Sequence, residues 1–166
     1  MRLSLALCVV VGCGLCGNAL SMSARRRTET LLALIRGIRT LRIHMIHMLE
    51  PVALALSASD CPALERVGRD MKPGDCAGNA WRRVSGRETR RGGVLDALTA
   101  GDRRALDALF DQLGESGRDQ QDILLSAAIE ALTTNLTEAE KRAGEAERLY
   151  LSLGLLAGLT LALTVI

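Results

Sequence analysis

The chain has 166 residues, 48% of them apolar but only 2% aromatic, and its net charge is +2. Leu and Ala supply the apolar mass and favour helix, while the β-branched and aromatic runs that mark strands are scarce. These proportions exclude a sandwich, a barrel or a Rossmann-type enzyme, and the near-neutral charge does not suggest a nucleic-acid binder.

Leu3 to Met22 is an uncharged run of about 20 residues, roughly 30 Å as a helix, the thickness of bilayer hydrocarbon. It predicts an N-terminal transmembrane anchor over residues 1–24. The competing reading is a signal peptide cleaved near Ala19-Leu20-Ser21, although Arg25, Arg26 and Arg27 directly after that site resist export. Cys13 and Cys16 have CxxC spacing, but a redox pair needs an accessible thiolate and these would sit in lipid.

Thr28 to Met48 places Leu31, Leu34, Ile35, Ile38, Leu41, Met45 and Met48 at helical spacing, with Arg36, Arg39 and Arg42 on the other side. Pro51 ends this helix and opens a short one over Val52–Ala58. Asp60 is expected to cap a helix that carries Pro62 in its first turn and ends near Asp70. Lys72 to Asp75 reads as a turn, with Asp75 capping Cys76 to Val84. Gly86 and the Gly92-Gly93 pair break the pattern. Asp102 is expected to cap Arg103 to Leu113, with Leu106, Leu109, Phe110 and Leu113 inward and Gly114 as the stop.

From Arg118 no proline follows, and Gly144 is the only glycine before Gly154. One helix of up to about 49 residues, roughly 70 Å, is predicted to run from the domain into the apolar tail at 149–166. Its apolar stripe is read as Ile123, Leu124, Ala127, Ala128, Ala131 and Leu132, narrowing to Ala139, Ala143 and Ala146. The tail reads as a second transmembrane helix, with Tyr150 as interfacial anchor and Gly154 and Gly158 as a GxxxG contact for helix packing. Arginines follow the first apolar segment, Lys141, Arg142 and Arg148 precede the second, and no cation follows it. By the positive-inside rule the 25–148 domain is cytosolic.

Chemistry-bearing constellations are weak. His44 and His47 are too few for a zinc site, and Asp107 with Asp111 reads as a solvated pair. No catalytic residue, metal ligand or cofactor-binding residue is expected, and the protein is not read as an enzyme. Arg82, Arg83, Arg87, Arg90 and Arg91, against Glu88 alone, form a basic cluster suited to a partner or to lipid headgroups.

An ordered set of residues then points to a family. Phe110-Asp-Gln-Leu-Gly114 comes first, then Gln121, the charged stem Glu138-Ala-Glu-Lys-Arg142, and Leu151-Ser-Leu-Gly-Leu-Leu-Ala-Gly158. Pro51 after the first helix and Ala80-Trp81 after a Gly-Asp turn add to it. In this order and over nearly the whole length, the chain resembles the stage III sporulation protein AB family of endospore-forming bacteria. One position departs: the family usually has Asp three residues after the Leu-Gly glycine, and Gly117 stands there. The resemblance implies an all-α cytosolic bundle like the F-type platform domain of type II secretion and type IV pilus systems, flanked by the two membrane helices. It implies a non-enzymatic assembly component of a transenvelope channel complex, on the mother-cell side of the outer forespore membrane. Expected partners are a secretion-type ATPase and a polytopic membrane subunit. The alternative is an exported, membrane-tethered binding protein with a cleaved signal peptide and a Cys61–Cys76 disulfide.

Overall fold

Helix α1 begins the structure, a computed structural model that describes residues 25–90 and 92–165, with side chains as far as residue 145. It is α-helical over 25–42 and closes in a wider π turn, Ile43–His47. Leu31, Leu34, Ile38 and Leu41 are fully buried along one face. The π turn carries the Met48 amide to the Ile43 carbonyl, five residues back, at 3.2 Å. That wider turn shifts the phase of the helix. Ile46 therefore continues the core line, and Met48, expected inside, is 56% exposed. The chain then reverses through Leu49 at φ 58, and the Glu50 amide bonds the His44 carbonyl at 3.0 Å.

Helix α2 spans Val52–Ser57 behind Pro51, and α3 spans Pro62–Asp70. The expected Asp60 cap is not made. Asp60 lies in the left-handed region (φ 52), and extended Cys61 precedes Pro62 without a side-chain cap. Gly68 lets α3 lie directly on α2: a Cβ there would fall 2.5 Å from Ser57 Oγ and 2.8 Å from the Ala53 carbonyl.

Helix α4, Ala77–Glu88, runs through Gly86 instead of breaking there. Asp75 does not cap it; its carboxylate accepts from Arg83. After a turn that buries Leu95 and Leu98, α5 spans Ala100–Gln112. Its cap is Thr99, three residues before the expected Asp102, and the two form a capping box. The expected inward set, Leu106, Leu109, Phe110 and Leu113, is buried. Phe110 stacks on Trp81 with ring centroids 4.5 Å apart, which joins α4 to α5. Gly114, at φ 86, ends the helix as its position predicts.

Helix α6 is one continuous element, Arg118–Val165, of 48 residues. Its buried line is Gln121, Leu125, Ala128, Leu132, Leu136 and Ala139. Ala128, Leu132 and Ala139 of the expected stripe are buried and Leu124 packs at its edge, whereas Ile123 is 69% exposed and Ala127 and Ala131 face outward. Ala counts weakly as a burial signal, so the periodicity alone did not fix the face.

Two ion pairs set α1 against the last two helices. Arg42 meets Asp122 near the start of α6, and Arg27 meets Asp102 near the start of α5. Because α5 and α6 form a hairpin, the beginning of α5 lies beside a later stretch of α6. α1 therefore runs antiparallel to α6, and the N-terminal end of α1 and the outgoing part of α6 lead from the same end of the bundle. No strand occurs among the described residues.

The first expected membrane segment, 1–24, lies outside the described residues. Of the second, 149–166, the structure gives a helical backbone to Val165, and the packing of Gly154 and Gly158 lies outside the described side chains. Among the described residues no helix is long and apolar enough to cross a membrane.

Candidate functional site

The basic cluster is an arginine ladder on α4. Three of its members pair with acids at the bundle surface. Arg83 Nε donates to Asp70 at 2.7 Å, while its Nη2 reaches Asp75 at 2.5 Å and the Asp70 carbonyl at 3.1 Å. Arg87 adds a second bond to the Asp70 carboxylate at 2.8 Å. Arg82 crosses to Asp111 on α5 at 2.8 Å, and Arg66 pairs with Glu88. The hydrogen bond from Arg83, joined by that from Arg87, holds the Asp70 carboxyl below its usual range, and Arg83 does the same to Asp75. These pairs fix α4 against α3 and α5. They also cancel most of the charge the sequence offered to a partner. Arg90 stands exposed beyond the end of α4, and Arg91 lies outside the described residues.

The carboxylates read as a solvated pair have separate partners. Asp107 accepts the buried Trp81 indole N–H at 2.6 Å, and Asp111 accepts Arg82. His44 Nδ1 lies 2.9 Å from Glu50 Oε2, and His47 is exposed. Among the described residues no group of three His, Cys, Asp or Glu side chains is placed to hold a metal ion.

Cys61 and Cys76 are free thiols, not a disulfide. Cys61 is buried, which pushes its thiol pKa up, and Cys76 is exposed. Cys76 lines an open cleft of about 560 Å³ with Pro51, Val52, Met71, Pro73 and Leu113.

Gln121, one of the residues that carry the family resemblance, organises the α5–α6 turn. Its Nε2 donates to the Gln112 carbonyl at 3.1 Å and to Ser116 Oγ at 2.7 Å. Its Oε1 accepts the Gly114 amide at 3.2 Å. Periodicity gave no sign of this, because a buried glutamine resembles a polar error in an apolar stripe.

A helical bundle bridged on its surface by arginine pairs, with its longest helix continuing past the core, defines a helical scaffold class. The chain belongs to the stage III sporulation protein AB family, whose description matches residues 2–166, and its role is therefore in sporulation. No curated protein and no solved structure matches the chain.

Proposed function

We propose that the protein is a membrane-anchored platform component of the sporulation transenvelope channel complex. It links a cytosolic secretion-type ATPase to the polytopic membrane subunit, and it carries no catalytic site of its own. The single observation behind this reading is the continuity of α6 from the buried Leu125 to Val165 in the apolar tail. A continuous helix transmits displacement, because bending it breaks backbone hydrogen bonds. The antiparallel α1 supports the same reading, since residue 25 and the outgoing part of α6 lie at one end of the bundle. The domain lies in the mother-cell cytosol, with both anchors in the outer forespore membrane.

Thiol topology tests the placement. With Cys8, Cys13, Cys16 and Cys61 replaced by Ala, exposed Cys76 reports alone. It should react with an impermeant maleimide only after cells are permeabilised. Reaction in intact cells would instead support the exported, tethered protein. Copurification of the ATPase and the polytopic subunit with the full-length chain tests the linkage. Arg90→Glu is the clean probe of a basic contact, because substituting Arg82 or Arg83 also breaks an internal pair.

A further inference from the structure

Helices α1 and α6 share one exposed face. On α1, Arg25, Glu29, Leu32, Arg36, Arg39 and Ile43 follow at spacings of three and four, and all are exposed. On α6, Asp119, Ile123, Ala127, Glu130, Thr134 and Thr137 do the same. The half-exposed Arg42–Asp122 pair, at 2.6 Å, marks the seam between the helices. Seen from one end, antiparallel helices wind in opposite senses. A step of one residue from Arg42 to Ile43, and from Asp122 to Ile123, therefore carries both isoleucines to the same side of the seam. A step the other way carries Leu41 and Gln121 into the core, where both are buried.

This face is self-complementary. The α1 half is cationic and the α6 half carries Asp119 and Glu130. Ile43 is 48% exposed and Ile123 69%, and both sit at the level of the seam pair. Arg36, Arg39 and Glu130 form no ion pair among the described residues.

We propose that the chain forms a two-fold homodimer through this face. With the axis parallel to the helices, α1 of one protomer lies on α6 of its partner at unchanged height. Ile43 then meets the partner's Ile123, and Arg36 and Arg39 approach the partner's Glu130. Every contact occurs twice. A two-fold axis across the helices would lay α1 on α1 and set cation against cation, which the charge pattern disfavours.

The test uses the full-length chain solubilised in detergent, with its five native cysteines replaced by Ala. Two differently tagged variants, Ile43→Cys and Ile123→Cys, are co-expressed and oxidised with copper phenanthroline. A disulfide joining the two tags is expected. Its absence, or a disulfide between two Ile43→Cys chains, would overturn the proposal. Arg36→Glu or Glu130→Arg alone should weaken dimerisation about ten-fold, because two symmetric pairs are lost together. Combining Arg36→Glu with Glu130→Arg should restore it. Failure of either the loss or the rescue also overturns the arrangement. If the cysteine-free background loses helicity, the same charge exchange is read by sedimentation of the chain with its native cysteines.

Discussion

Arg27 donates from Nε and Nη2 to the two carboxylate oxygens of Asp102, at 2.9 and 3.0 Å, and so ties the start of α1 to the start of α5. Asp102 is fully buried and Arg27 nearly so. The same carboxylate accepts the Thr99 amide at 2.9 Å and the Thr99 hydroxyl at 2.7 Å. One aspartate thus closes a capping box and a tertiary clamp together. Asp102→Asn would leave the Arg27 guanidinium buried without its counter-charge. A loss of about 3 kcal/mol is expected, measured by urea denaturation of the detergent-solubilised chain. A loss no larger than that of a surface substitution would show that the pair contributes little.

The acid limb of stability follows from the same chemistry. Burial alone would raise the Asp102 pKa, but Arg27 and Thr99 outweigh it and hold the group below its usual value. Asp122 is lowered chiefly by the hydrogen bond from Arg42, as Asp70 and Asp75 are by theirs. A carboxyl with a depressed folded-state pKa contributes its full stability above the unfolded value of about 3.9 and loses it as pH falls through the folded value. The urea midpoint should therefore be the same at about pH 7 and about pH 5.5, and fall steeply below about pH 4. A midpoint that falls mainly between the first two would contradict these assignments.

Gln121→Ala strips three hydrogen bonds from the α5–α6 turn and leaves the Gly114 amide without its partner, while the Gln112 carbonyl keeps only the Glu115 amide at 3.3 Å. A destabilisation of about 1–3 kcal/mol is expected. Faster amide exchange at Gly114, relative to the centre of α5, would locate the effect at the turn.

Leu49 holds a left-handed backbone with its side chain 68% exposed. The side chain contributes little packing there, while its Cβ is strained. Leu49→Gly should raise stability by about 1 kcal/mol. A loss instead would show that the leucine packs against something in the assembled protein.

Gly117 stands where the family pattern has aspartate, directly before α6, and a Cβ there meets nothing within 4 Å. Gly117→Asp should stabilise the chain by about 0.5 kcal/mol through an N-cap bond to the first turn of α6. Thermal unfolding followed by circular dichroism checks this.

Where expectations from the residues failed, each failure has a local cause. Asp60 and Asp102 were sensible caps by residue type. Thr99 could offer its hydroxyl while Asp102 answered from the third helical position, whereas Asp60 took a left-handed turn. On α6 the expected stripe includes the buried Ala128, Leu132 and Ala139 but also the exposed Ile123, Ala127 and Ala131, because alanines give the periodicity too little contrast. The basic cluster was visible, but its acid partners are distant in the chain: Asp111 lies 29 residues from Arg82, and Asp70 lies 13 from Arg83.

By itself the sequence determined that this chain is helical, that its last helix is long, that its ends are apolar and its middle charged, and which family it resembles. Those properties rest on composition, on spacing within one helix and on short ordered motifs, all of them local in the chain. Only the tertiary structure decided which surface charges are paired within the chain and which keep no acid partner among the described residues. Arg83 and Arg87 are occupied by Asp70, while Arg36 and Arg39 keep an open face. An ion pair depends on distance in space, and helix packing brings together residues that the sequence separates.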